Sequence, residues 1–505
     1  MARLFLYSSG NFDIRRMENQ AQLLGVMTAY IAVLVAWGVW QGRKVKTTGD
    51  YTIAGRRLPG WVAALSERAT GESSWALLGL PGAAYALGLT EIWTALGCVA
   101  GIITAWWLLA WRLRDAADQS GSMTFSEFLG GRFGAKSPYI RLVSAAAIVF
   151  FFFFYVGAQF LGGGKTLFTM FGLEARWGML ITAGIIVPYT IYGGFRSVVY
   201  TDVIQAIVMI VALVAGPIVG FIYLANHPET YAGGVAEALH LAGPQYTSLT
   251  GGANGFAAGL VMMGGFSWFF GYLGGQPQLT TRFMAISDRK QAIRARNIGV
   301  AWTIVAYIGA LLLGWIGLAI FGPGALPDRE MVMPSVMLKI FPPAIAALLI
   351  TGAVAAMIST ADSLLVLSAT EFSENILKPV LKKRGIRWQN GLIINRITTL
   401  ILAIVALGLA YSIQSKLIFT VVSYVWAGIG ATFSVVVVLS FFWKRFHGRA
   451  ALLTILAGLG FTIAWISSGM DTMITARLVN FVFTMAVAVL ATLLVPAGNE
   501  VRHGA

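Results

Sequence analysis

Runs of about twenty mostly apolar residues recur along the whole chain, and this feature removes most of fold space. Two of them read SVVYTDVIQAIVMIVALVAG and AALLITGAVAAMISTADSLLVL. A backbone in hydrocarbon has no water to bond, so only helices and closed barrels can cross it. These runs are continuous rather than alternating, which selects helices over barrel strands. The expectation is an all-α polytopic membrane protein. Charged residues make up 11% of the 505, against about a quarter in soluble domains. A single cysteine, Cys98, excludes an intrachain disulfide and a cysteine metal cluster, and four histidines leave no His-rich metal site. The net charge of +15 is assigned to loops. No soluble basic domain is present to bind nucleic acid, so no nucleic-acid partner is expected. LFLY near the start is too short for a signal-peptide core.

The pattern predicts about thirteen spans, near 21–41, 60–86, 92–112, 142–171, 175–194, 199–225, 253–274, 298–322, 338–370, 391–413, 418–443, 450–469 and 473–495. Basic clusters follow the first, third, seventh, ninth and eleventh of these. They include Arg43, Lys44, Arg56 and Arg57, then Arg112, Arg114, Arg132, Lys136 and Arg141. Arg282, Arg289, Lys290, Arg294 and Arg296 come next, followed by Lys378, Lys382, Lys383, Arg384 and Arg387, and then Lys444, Arg445 and Arg449. All follow odd-numbered spans, so all lie on one side. The positive-inside rule makes that side cytoplasmic, with the N-terminus outside and the C-terminus inside a bacterial-type membrane. Arg3, Arg15 and Arg16 in the N-terminal tail run against this assignment. The loop 226–252 is rich in Gly, Pro, Ser and Thr and is long for a connector.

Two spans carry helix breakers. LSERATGESSWALLGLPG mixes charges, hydroxyls and glycine before Pro81, and GGFSWFFGYLGGQPQL holds paired glycines before Pro277. They stand five spans apart. Corresponding interrupted spans mark the binding site of an inverted-repeat transporter, and irregular backbone at membrane depth is tolerated where it lines a cavity. Polar clusters stand in two other spans. Asp202 has Thr201 and Gln205 beside it. Ser359, Asp362 and Ser363 share one helix face at i, i+3 and i+4, next to Thr360. An acidic residue inside a span is a functional-site hypothesis by default. Hydroxyls and carboxylates facing freed carbonyls suit a small hard cation. The competing reading is structural: Ser and Thr bonding the carbonyl one turn back at a helix contact.

The segments DYTIAGRRLPGWVAALS, GLPGAAYALG, SEFLGGRF, YGGFRSVVYTDVIQA, GGQPQLTTRFMAISD, AAMISTADSLL and VVSYVWAGIGATF resemble, in order, segments of the sodium/solute symporter family, and within it the proline branch. The resemblance covers roughly 20–490. It implies a LeuT-type core of ten helices in two inverted repeats, with one extra N-terminal and two extra C-terminal helices. The implied limits are a polar tail at 1–20, the first span and loop at 21–59 and the core at 60–443. Its repeats fall at 60–225 and 253–443, followed by two peripheral spans at 444–495 and a tail at 496–505.

Carried over by position, the main sodium site would use backbone oxygens of Ala69, Glu72 and Ala356 with the hydroxyls of Ser359 and Thr360. Asp202, Asp362 and Ser363 match a second sodium site of some members. Substrate positions fall at Ser73, Tyr155, Trp268, Tyr272 and Pro277, with Ser74 and Gln159 beside them. The function implied is sodium-coupled uptake of proline or a related amino acid, a small-molecule substrate carried by a protein embedded in membrane lipid, and not an enzyme.

Three departures stand out. Gly71 replaces a carboxylate, with Glu72 one position later; Arg68 replaces a small residue; and a glycine is added in YLGGQP. Arg68 and Glu72 are spaced to pair as structural glue. The alternative is that Arg68 intrudes on the cation site. Proton coupling, another solute such as a carboxylate or sugar, and a solute-sensing membrane module remain as alternatives. Oligomeric state is not legible.

Overall fold

The computed structural model describes residues 2–497 except 135, 136, 387, 389 and 413–416, with side chains from position 20 onward. Lys136, Arg387 and most of the expected C-terminal tail lie outside the described residues, as do the side chains of Arg3, Arg15 and Arg16.

Helices dominate the chain. We label the long ones α1 (Ala2–Gly42), α2 (Gly60–Ser74), α3 (Ile92–Thr104), α4 (Ser137–Phe171), α5 (Ala175–Ala225), α6 (Gly255–Phe266) and α7 (Pro277–Ala285). They continue as α8 (Arg289–Phe321), α9 (Pro343–Phe372), α10 (Gly391–Ser412), α11 (Ile418–Val425), α12 (Thr432–Phe442), α13 (Gly448–Ser467) and α14 (Ala476–Leu494). Ten helical runs among the described residues are long and apolar enough to cross a membrane. Two of these, of 61 and 51 residues, are long enough to cross twice, and Gly255–Gly271 is a shorter apolar helix. About thirteen crossings are compatible with this set.

The side chains are arranged inside out relative to a soluble bundle. On α10, Ile393, Ile397, Ile401 and Ile404 are exposed while Asn395, Thr398 and Thr399 are buried. That apolar outer stripe at helical spacing fits lipid, and the polar inner face fits neighbouring helices.

Local chemistry sets the helix starts. Thr47 and Asp50 form a capping box ahead of the short helix Thr48–Ile53. Asp288 caps α8 by accepting from the Gln291 N–H at 2.9 Å. Pro277 stands in the first turn of α7, where its fixed φ helps to start the helix and no N–H is missed. The expected boundary between the fifth and sixth spans is a break at Gly194 (φ 53°, ψ −150°) inside the continuous run of α5. A Cβ there would meet the Tyr51 ring at 2.4 Å, so close packing as well as backbone conformation calls for glycine.

The core centres on α9. Of its most apolar window 83% is buried, against 28% for α1 and α14, so α9 is central and those two are peripheral. It packs chiefly against α5 and α4, and also against α1 and α2. Both spans expected to be interrupted are interrupted. α2 kinks at Ser73 and continues as a wide π turn, Trp75–Gly79. After α6, the chain from Tyr272 to Gln276 leaves the helix before Pro277 restarts it.

Candidate ion and solute sites

At the α2 break, Ser73 adopts φ 44° and ψ −168°, outside the comfortable range of a non-glycine residue. Local bonds hold it there. The Trp75 N–H donates to Ser73 Oγ at 3.2 Å, and the Trp75 indole N–H donates to the Gly71 carbonyl at 3.2 Å. On one side of the break lies a knot of neutral oxygens. The Ser359 hydroxyl is within 3.0 Å of both the Ala69 and Ala356 carbonyls, and the Thr360 hydroxyl donates to the Thr70 carbonyl at 3.0 Å. The Glu72 carbonyl accepts from the Trp75 N–H instead. All of these residues are buried. A hydroxyl can turn its hydrogen away and offer a lone pair, so this donor set suits a hard monovalent ion.

One turn further along α9 lies a second polar set. Asp202 Oδ2 accepts from Ser66 Oγ at 2.6 Å and from Arg282 Nη2 at 2.9 Å. The same Nη2 reaches Ser363 Oγ and Thr70 Oγ1, both at 2.6 Å, while Nε donates to Ser66 Oγ at 2.8 Å. Asp362 accepts from the Tyr189 hydroxyl. Asp202, Asp362 and Ser363 are thus brought together, around a guanidinium. This corrects the reading of Arg282 as part of a basic loop cluster: it is fully buried on α7. Asp202 too is fully buried.

Arg68 forms a third buried set. Its guanidinium is bidentate to Glu67 and bonds Glu72 Oε1 at 2.9 Å and Thr303 Oγ1 at 3.1 Å. The Trp106 indole N–H also donates to Glu67, at 3.1 Å. The Arg68–Glu72 pair anticipated from spacing is present, and Glu67 completes it. The guanidinium makes no hydrogen bond to Ser359 or Thr360 among the described residues.

On the other side of the break stands an aromatic cage. Trp75 stacks on Trp268 at 4.4 Å with ring planes 8° apart. Trp426 lies 5.6 Å from Trp268, 5.3 Å from Tyr272 and 6.1 Å from Tyr155. Phe419 sets its edge over Trp268 and Trp75 at 5.5 and 6.3 Å. The Tyr155 hydroxyl donates to Ser73 Oγ at 3.1 Å. Gln159 Oε1 accepts from both the N–H and the hydroxyl of Ser74, at 3.2 and 2.8 Å. Ser73, Ser74, Tyr155, Gln159, Trp268 and Tyr272 therefore meet at one place. Pro277 is buried too, but as the start of α7 beyond the second break.

Sequence reasoning missed Trp426 and Phe419, which come from α11 and the turn after it. Their signal was an aromatic and glycine-rich stretch, FTVVSYVWAGIG, that also reads as ordinary helix bulk. It also missed a latch at the end of the bundle away from the basic clusters. Lys165 Nζ pairs with Glu330 at 2.7 Å and Asp328 at 2.8 Å. Glu330 accepts from the backbone N–H groups of Ile418 and Phe419 at 3.0 and 2.9 Å, so a carboxylate caps α11 directly above the cage. A cavity of about 610 Å³, lined in part by Tyr85, Lys165, Tyr246 and Arg329, opens beyond this latch.

Comparison with known proteins bears on the family and the fold. A sequence profile of the sodium:solute symporter family matches residues 51–458. The chain belongs to that family. It is 33% identical to the high-affinity proline transporter PutP of Bacillus subtilis, over 92% of this chain and 96% of that protein. It is 32% identical to the sodium/proline symporter of Escherichia coli, over 89% and 88% of the two chains. Among solved structures, an outward-open, substrate-bound Na⁺-coupled sialic acid symporter superposes with a TM-score of 0.78 at 18% identity, covering 95% of this chain and 99% of that one. The fold is the LeuT type, and family members are transporters embedded in the membrane.

Proposed function

We propose that this chain is a sodium-coupled symporter of proline or a closely related amino acid. The observation that carries the reading is the Ser73 break, with a neutral oxygen knot on one flank and an aromatic cage on the other. An ion held by Ala69, Ala356, Ser359 and Thr360, with Glu72 contributing its carbonyl, would fix the broken segment. That segment carries Ser73, Ser74 and Trp75 into the cage, so ion and solute would favour the same conformation.

The cage chemistry supports an amino acid with an apolar ring. Indole and phenol faces cover apolar surface and attract an ammonium. Polar donors are also left over: among the described residues, the indole N–H groups of Trp268 and Trp426 and Gln159 Nε2 are buried without partners. Gln159 cannot be flipped to hide its amide, because Ser74 N–H requires Oε1 on that side. Spare donors beside a broken helix suit a carboxylate.

We assign the coupling ion to the Ser359–Thr360 knot. At the Asp202–Asp362–Ser363 set the Arg282 guanidinium already supplies a positive charge. The basic end of the bundle is read as cytoplasmic, residues 60–443 as the transport core, and 444–495 as peripheral. One charge moving inward would contribute about 2.3 kcal/mol per 100 mV.

The test is uptake of labelled proline into proteoliposomes, with a sodium gradient at fixed pH against sodium-free buffer with a pH gradient. Uptake should require sodium and be outcompeted by close proline analogues. Equal uptake in the two buffers would remove the ion assignment, and no uptake of proline in either would remove the substrate.

A further inference from the structure

Arg477 is the second residue of α14, the last helix among the described residues, and it is buried, with 7% of its surface exposed. Its guanidinium reaches into the cage from behind. Nε donates to Ser267 Oγ at 3.2 Å, Nη2 to the Gly264 carbonyl at 3.2 Å, and Nη1 to Ser423 Oγ. The guanidinium carbon stands 4.5 Å from the centre of the Trp268 ring. Trp75 stacks on the same ring at 4.4 Å. Trp75 and Arg477 thus both pack on the Trp268 ring.

No carboxylate pairs with Arg477 within 4 Å among the described residues. Asp471 Oδ1 is taken by the Ala476 N–H at 2.6 Å. Asp471 and Glu91 act on the guanidinium only through space, and a buried charge with no carboxylate in contact calls for a role. The rest of this helix face points the same way. Asn480, three residues on, donates to the Ala427 carbonyl at 2.7 Å and to Thr432 Oγ1 at 3.1 Å, and Thr484 bonds Asn480 at 3.0 Å. A peripheral helix thereby grips three points: the end of α6, the end of α11, and the turn carrying Trp426.

We propose that Arg477 is a positioning residue for solute binding: from outside the ten-helix core it holds Trp268 flat against Trp75 and ties α6 to α11 when the cage is assembled. This rests on the reading of the cage as the solute site. Arg477 itself touches no solute, because it packs on Trp268 and bonds only to oxygens of Gly264, Ser267 and Ser423. Its charge is spent on the ring and on three oxygens of helices that would have to separate for the cage to open.

The test uses the full-length protein in proteoliposomes with labelled proline, comparing wild type with Arg477→Met, Arg477→Lys and the double variant Ser267→Ala/Ser423→Ala. Arg477→Met should raise the proline KM by about tenfold with the maximal rate held within about twofold. Arg477→Lys should recover part of that loss, since an ammonium keeps the ring contact but not the three-pronged fork. Where Arg477→Met does not fold, the double variant decides, with a KM increase of about threefold to tenfold expected from the lost tethers alone. In parallel, hydrogen exchange without solute should quicken in 255–276 and 418–431. Unchanged KM in the folded variants, or unchanged exchange in both segments, would overturn the proposal. Wild type that takes up no proline would instead remove the substrate reading, and the exchange rates alone would then decide whether Arg477 ties the two helices.

Discussion

Two polar sets on α9, one helical turn apart, show how the same scaffold treats a positive charge. At Ser359 and Thr360 every partner is a neutral oxygen: hydroxyls face the carbonyls of Ala69, Thr70 and Ala356. At Ser363 and Asp362 the set gains a second carboxylate, Asp202, and a fixed cation, Arg282. Thr70 belongs to both, bonding the Ser359 carbonyl at 3.3 Å and Ser363 Oγ at 3.1 Å. The difference is one of mobility. A tethered guanidinium neutralises Asp202 without leaving. The neutral knot has no charge of its own, so an ion proposed to bind there could also depart, as coupled transport requires.

The contrast can be broken most forcefully at Asp202. Asp202→Asn leaves Arg282 buried without its ionic partner, and breaking such a pair costs about 3–5 kcal/mol. A large drop in thermal unfolding temperature is expected in detergent, with much of it restored by Asp202→Asn/Arg282→Met. If Asp202→Asn instead leaves stability intact and abolishes sodium dependence, the carboxylate serves a travelling ion and the contrast fails.

The neutral knot should respond in the opposite way. Ser359→Ala/Thr360→Ala removes hydrogen bonds worth about 1 kcal/mol each, a modest stability loss. The sodium concentration for half-maximal uptake should nevertheless rise by at least about tenfold, because the proposed ion site loses two ligands at once. Unchanged sodium dependence would move the ion elsewhere.

A smaller effect is expected at the latch. Glu330→Gln keeps an oxygen for the α11 N–H groups but loses the charge facing Lys165 and the helix end, a change of about 1–2 kcal/mol. A cysteine introduced as Phe419→Cys, in a Cys98→Ser background, should then react faster with a water-soluble thiol reagent. Equal reactivity with and without Glu330→Gln would show that the latch does not hold the cage shut.

Asp288→Ala supplies the control, with a loss of about 1 kcal/mol from the α8 cap and no change in sodium dependence. The Gln291 N–H bond, offset only in part by burial, holds the Asp288 carboxyl below its usual range. Its contribution is therefore complete above the unfolded carboxylate pKa and is lost as pH falls through the lower folded value.

Much of this was legible from residues close together in the chain. The Gly and Pro residues of the second and seventh spans marked both breaks, and Ser359, Asp362 and Ser363 declared a polar helix face by their spacing. The Arg68–Glu72 pair followed from an i, i+4 interval. What escaped lay across helices. Arg282 read as one more basic loop residue, since nothing in TTRFMAISD reveals that α7 tucks beneath the α2 break. Arg477, in TARLVN, carried no signal pointing to Trp268 more than two hundred positions earlier.

Sequence by itself determined the solvent this chain folds in, the helices that cross it, and the places where helical bonding lapses, because these depend on side-chain hydropathy and on backbone propensity along a single strand of chain. Tertiary structure alone decided which charges meet. Hydrogen bonds and ion pairs act over about 3 Å, and that range is set by how helices pack rather than by their order. Two carboxylate sets each acquired an arginine, and a neutral oxygen knot stayed free of one, for that reason.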